Sequence, residues 1–146
     1  MKRHESLAPL SREHHGALIL ARLLQKGAPA YKGLPADPAG KARYALQFYE
    51  NELTQHFIYE EKMVPVLKDI NPKLDDMLRE MSEEHVILRE LFSQLNNPKD
   101  LSAQLDKLGK ALEKHVRKEE REIFPLIQDS CDPHLLSKIS TLFHEQ

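Results

Sequence analysis

The chain has 146 residues, 40% of them hydrophobic, enough for one domain over residues 1–146 with a single core. Its 21 basic and 23 acidic residues leave a net charge of −2, no field for holding a phosphate backbone, so nucleic acid is not an expected partner. Cys131 stands alone, which rules out an intramolecular disulfide and favours a reducing compartment. No apolar run reaches the ~18 residues of a membrane span and none of signal-peptide length follows "MKRHESLAPL", so the expectation is a cytoplasmic protein with no membrane partner.

No tryptophan, few glycines and many Leu, Glu and Lys favour helix. No two-residue alternation persists and no Asn-Gly or Asp-Gly hairpin signal occurs, so the class is all-α. Pro9, Ser11 and Glu13 mark a first helix at about 10–26. Asp37-Pro38, Asn71-Pro72, Asn97-Pro98 and Asp132-Pro133 each offer a capping oxygen and a proline at the first helical position. They open helices at about 38–68, 72–95 and 98–128 and a short one at about 133–144, with boundaries good to ~2–4 residues. Four long helices, with "GAPAYKGLPAD" as a turn between the first two, predict an up-down antiparallel four-helix bundle with a short C-terminal fifth helix. Pro65 and Pro125 should kink or end the last turns of the second and fourth helices.

Each long helix has an apolar stripe interrupted by histidine. On the first it runs Leu7, Leu10, His14, Ala17/Leu18, Ala21, Leu24, with His14 rather than His15 facing inward because His15 shares its side with Ser11, Arg22 and Lys26. The second runs Tyr49, Leu53, His56, Glu60, Met63/Val64, Leu67; the third Leu74, Met77/Leu78, Met81, His85, Leu88, Phe92, Leu95. On the fourth, Leu105, Leu108, Ala111, Leu112, Ile123 and Leu126 place His115 and Glu119 on the buried face. A lone histidine there is more often a hydrogen-bonded core residue than a ligand. Four such histidines, two with glutamate at i+4 in "HFIYEEKMVP" and "HVRKEEREIFP", are poorly explained in that way.

At i and i+4 an imidazole and a carboxylate share one helix face and can reach one point. Two such helices and one histidine from each of the others assemble His14, His56, Glu60, His85, His115 and Glu119. Imidazole nitrogens and carboxylate oxygens in a bundle core suit iron or manganese better than zinc, and two bridging glutamates favour two ions over one. Glu61 and Glu120, ~100° round the helix, belong on the rim. His4, His134 and His144 read as structural or exposed. Counted from the second turn, His56 and His85 sit at equal depth; from the third, His85 and His115 differ by roughly 10 Å at 1.5 Å per residue, so the fourth helix must overhang or start irregularly.

With "REHHGAL", "HFIYEE", "EEH" and "HVRKEE…IFP", the chain resembles the hemerythrin-like HHE cation-binding family over residues ~10–128. The resemblance implies an up-down bundle around two non-haem irons, held at the same six positions with the glutamates bridging, and a role in binding oxygen, responding to oxygen, nitric oxide or iron, or handling iron. It departs from the oxygen carriers at "HVILR", where Arg89 takes the place of a second histidine, and at Glu119 and Glu120, four and five after His115, where the carriers have an aspartate at five. Arg89 cannot coordinate. It either pairs at the rim with Glu84, Glu90 or a neighbouring helix, or lies beside an open iron position and donates to an anion such as azide or peroxide.

Three functions follow: a di-iron protein meeting a small diatomic or anionic ligand as sensor, store or scavenger; a di-iron redox enzyme reducing peroxide or nitric oxide at an open position; and a metal-free helical interaction module.

Overall fold

Four of the helices begin on a side-chain oxygen. Asp37 accepts from the Gly40 N–H at 2.9 Å, Asn71 from Lys73 at 2.8 Å and Asp132 from Leu135 at 2.8 Å, each with proline in the first turn. The fourth expected start is displaced. Gln94–Asn96 forms a 3-10 turn, and Asp100, not Asn97, caps the next helix by accepting from the Ala103 N–H at 3.2 Å. Gln104 Oε1 secures the entry by accepting from the Lys99 and Asp100 N–H groups, both at 3.0 Å.

The computed structural model describes residues 2–143. Its helices are α1 (Ala8–Leu24), α2 (Pro38–Phe48), α3 (Thr54–Leu67), α4 (Pro72–Ser93), α5 (Leu101–Lys118), α6 (Phe124–Ser130) and α7 (Pro133–Leu142), with no strand among the described residues. The expected end of the last helix at 144, and His144 itself, lie outside them. The π-helical segment Tyr49–Leu53 joins α2 to α3 in one rod, and a second, Glu119–Ile123, joins α5 to α6. Helix α1 starts before the expected position, so Ser11 is not its cap; the Ser11 hydroxyl instead donates to Glu120 at 2.8 Å. No described helix is long and apolar enough to cross a membrane.

Neighbouring rods run antiparallel, as cross-contacts show: Glu13 meets His56 while Gly16 abuts Phe48, and Glu80 meets Lys118 while Glu84 meets His115. Helix α7 packs on α3. Starting at Leu101 removes most of the expected depth mismatch. His85 lies about 18 Å from the turn, counting the 3-10 residues at 2.0 Å rise, and His115 about 21 Å.

Pro65 sits in the last turn of α3, which ends at Leu67 as expected. Pro125 does not end its rod. The preceding π segment absorbs the missing N–H and the clash with the carbonyl four residues back, and α6 continues to Ser130. The other π segment has no proline near it and was not foreseen. Both adjoin a histidine–glutamate block, one ending three residues before His56 and the other starting at Glu119.

The apolar core is divided in two. Ala17, Leu20, Ala21, Leu53, Phe57, Leu88, Phe92, Leu108, Leu112 and Val116 fill the end of the bundle containing Gly109. Leu7, Leu10, Tyr59, Met63, Leu74, Leu78, Met81, Ile123, Phe124 and Ile127 fill the other, sealed by Leu136 and Ile139 of α7. Between them on every rod lies one turn of buried polar residues: His14, His56, Glu60, His85, His115 and Glu119.

The first and fourth rods are in close contact at Gly109. A Cβ built there would lie 2.5 Å from the Ala21 carbonyl oxygen and 3.1 Å from Leu24 Cβ. Backbone that close cannot yield as a flexible side chain can. Gly109→Ala should therefore destabilise the fold by about 1–3 kcal/mol despite the better helix propensity of alanine, measured by urea unfolding; equal or greater stability would show that the rods separate freely.

Candidate metal centre

Of the adjacent pair on α1, His14 is buried and His15 exposed, which settles the rotation of that helix as the apolar stripe predicts. His56, His85 and His115 are buried too, and Glu60 and Glu119 are fully enclosed.

Each imidazole is held from outside by a carboxylate on the preceding rod. Glu13 on α1 accepts from His56 Nδ1 at 2.8 Å, Glu61 on α3 from His85 Nδ1 at 2.8 Å and Glu84 on α4 from His115 Nδ1 at 2.6 Å. Glu120 on the fourth rod closes the ring on His14 Nδ1 at 2.9 Å. An ionised carboxylate only accepts, so Nδ1 carries the proton and Nε2 faces the interior in all four.

The inward nitrogens converge on the two buried glutamates. His14 Nε2 lies 2.9 Å from Glu119 Oε1, and His56 Nε2 lies 3.2 Å from Glu60 Oε2 and 3.1 Å from His14 Nε2. Across the core, His85 Nε2 lies 2.9 Å from Glu60 Oε1, and His115 Nε2 lies 3.2 Å from Glu119 Oε2. Two groups result, His14–His56–Glu60–Glu119 and Glu60–His85–His115–Glu119, with the ligand atoms of each within 4.8 Å of one another. Glu60 and Glu119 turn one oxygen to each group. Although so close to imidazoles, Glu60 Oε2, both oxygens of Glu119 and His115 Nε2 make no hydrogen bond. They are aimed at common points, not at one another. Buried donors of this kind, two nitrogens and two oxygens per group, fit a divalent first-row metal.

The hemerythrin HHE cation-binding domain matches residues 6–127, all four rods of the bundle. The chain belongs to that family. Comparison with curated proteins and with solved structures returned no significant match.

Within this HHE domain Arg89 is not directed at the interior. Its guanidinium pairs with Glu61 on α3 at 2.8 Å and lies over the Phe57 ring, 5.6 Å from the centroid. That is the rim pairing with a neighbouring helix, and it engages the guanidinium with Glu61 and not with the interior of the site. Glu61 and Glu120 occupy the rim as expected, but both act on a histidine. Glu119, not Glu120, is the fourth rod's interior carboxylate.

Sequence reasoning missed Glu13 and Glu84 as outer carboxylates, and the two phenylalanines that wall the site. Phe57 stacks on His85 with centroids 4.2 Å apart, and Phe124 on His14 at 5.5 Å. A signal for the acids was present: each outer carboxylate is the sequence neighbour of an inner residue, in "EH" at 13–14 and 84–85 and "EE" at 60–61 and 119–120.

Without a cation, protons are the only positive charge the centre can take up. Burial lowers the pKa of His56 and His115, but Glu60 and Glu119 respectively, with the outer carboxylates, outweigh it and push both up to about 10. His14 is raised against the same burial by the Glu119 carboxylate close to its Nε2 and by its bond to Glu120. Burial would raise Glu119, yet the charges of the His115 and His14 imidazoles close beside it hold it well below the usual carboxylate range. Protons would therefore compete with a metal for these nitrogens well above the ~6.5 of a free imidazole.

For the metal-free protein the sign is set by folded histidine pKa values above the unfolded 6.5. Their stabilisation is complete below about pH 6.5 and is lost as pH rises toward about 10. Glu119, depressed from 4.5, contributes above that value and is lost in acid. Thermal unfolding in excess chelator should show Tm falling from near-neutral to alkaline pH; a Tm rising over that interval would mean the imidazoles are neutral in the folded apo form.

Proposed function

We propose that this chain is a di-iron protein whose centre meets a small diatomic or anionic ligand (oxygen, nitric oxide or peroxide) as a sensor, store or scavenger. His14, His56, Glu60, His85, His115 and Glu119 are the proposed ligands. The observation that carries the reading is the sharing of Glu60 and Glu119 between two four-residue groups, each glutamate turning one oxygen to either side. One ion would not need two carboxylates each split in this way.

Iron held there would supply a redox-active Lewis acid. The chain's own part is preorganisation. The outer carboxylates fix each imidazole with Nε2 inward, the i+4 spacing brings a carboxylate beside His56 and His115, and the two apolar clusters exclude water on either side. Four protein donors per ion leave coordination positions for an exogenous ligand, which also supports the redox-enzyme reading. Iron-dependent peroxide consumption, absent from the apo protein, would favour the enzyme. A metal-free interaction module is disfavoured by four buried atoms without hydrogen bonds at the centre of the core.

Metal analysis of anaerobically reconstituted protein should give about two irons per chain, with a higher Tm than the apo form. His14→Ala should lose iron and His15→Ala keep it. His56→Ala should retain about one iron, because the opposite group is intact, whereas Glu60→Ala or Glu119→Ala should lower occupancy at both. A single zinc per chain, or full iron in Glu119→Ala, would sink the assignment.

A further inference from the structure

The four outer carboxylates are chemically alike but unequally supported. Glu61 is clamped by Arg89 at 2.8 Å and Glu84 by Lys118 at 3.1 Å. Glu120 accepts from Ser11 at 2.8 Å and faces Arg3 at 3.5 Å. Among the described residues, Glu13 pairs with no lysine or arginine, and its one side-chain bond is the one it accepts from His56. Its side chain is 46% exposed, against 32%, 30% and 29% for the others. The two metal groups inherit this inequality. His85 and His115 are both backed by clamped carboxylates; Phe57 stacks on His85 and meets His115 and His56 edge-on alike. In the other group, the outer nitrogen of His56 has Glu13 as its hydrogen-bond partner, and no described lysine or arginine holds that carboxylate in place.

Accepting the di-iron reading, we infer that the two metal positions are inequivalent, and that Glu13 is a positioning residue governing metal exchange at the position formed by His14 and His56. When the Glu13 carboxylate swings into solvent, the His56 ring loses the hydrogen bond that fixes its outer nitrogen and can rotate Nε2 away from the centre. The same motion at His85 or His115 requires breaking an ion pair first. A carboxylate that leaves a buried partner for water gives up one charge-assisted bond, whereas Glu61 and Glu84 give up two. The rival exit is a surface cleft of about 270 Å³ lined by Glu84, Ile87, Leu88, Ala111, Lys114 and His115. Beside His115 its wall includes Glu84, the carboxylate that Lys118 holds.

The test is release of iron from the anaerobically loaded protein to a chromogenic chelator at fixed pH. The parent should release its two irons in two phases, fast and slow. Glu13→Ala should speed the fast phase about tenfold, the lower end of what outer-shell contacts contribute to metal affinity, and leave the slow phase unchanged. Glu84→Ala should speed the slow phase only. Far-UV circular dichroism should match the parent in both, since both positions lie at the rim. A single release phase in the parent, a fast phase indifferent to Glu13→Ala, or a fast phase accelerated by Glu84→Ala would each overturn the inference while leaving the di-iron centre standing. A parent that binds no second iron would instead remove the di-iron reading itself.

Discussion

The structure depends on a buried negative charge that must be met by positive charge taken up at its centre. Glu60 and Glu119 are fully enclosed between two apolar clusters, and three of their four oxygens have no hydrogen-bond partner. Isolated carboxylates in that setting would be strongly destabilising. Every other feature of the polar layer answers that constraint: four imidazoles turned to present Nε2, an outer acid on each Nδ1, and aromatic walls instead of further polar groups. Protons on the imidazoles satisfy it in the apo state. Metal ions at the two foci would satisfy it with better geometry, since several donors can converge on one cation but not on one proton.

The outer ring follows from helix geometry more than from any separate design. Successive residues are ~100° apart round a helix, so the neighbour of a core-facing residue projects over the seam between two rods. Glu13, Glu61, Glu84 and Glu120 are all such neighbours, and in each case the seam leads to the histidine of the next rod. Because the acid always acts on the following helix, the four contacts close into a cycle. The cycle ties register to chemistry: sliding one rod by a turn would strand two imidazoles at once.

That cycle also gives Arg89 a place. At i+4 from His85 it shares a face with the site, but a guanidinium has no lone pair for a metal, and the position it takes is behind Glu61 and over Phe57. There it holds a carboxylate that holds the His85 imidazole. Lys118 stands in the same relation to His115 through Glu84. The chain thus uses its basic residues near the centre as supports for acids, leaving the interior to imidazole and carboxylate alone.

Helix count, the inward histidines and the paired His-xxx-Glu blocks were legible in the sequence because each depends on local spacing: capping dipeptides, the 3.6-residue stripe, and i+4 proximity on one helix. The choice of His14 over His15 also came from that stripe. What tertiary structure alone decided were relations between rods. Which carboxylate reaches which Nδ1 depends on the order and antiparallel register of the bundle, and Phe57 and Phe124 become walls only once neighbours place His85 and His14 against them. The start of α5 at Asp100 in place of Asn97 was likewise a tertiary outcome. Both residues can cap a helix, and only the later start brings His115 to the depth of His85, where Glu60 and Glu119 are enclosed.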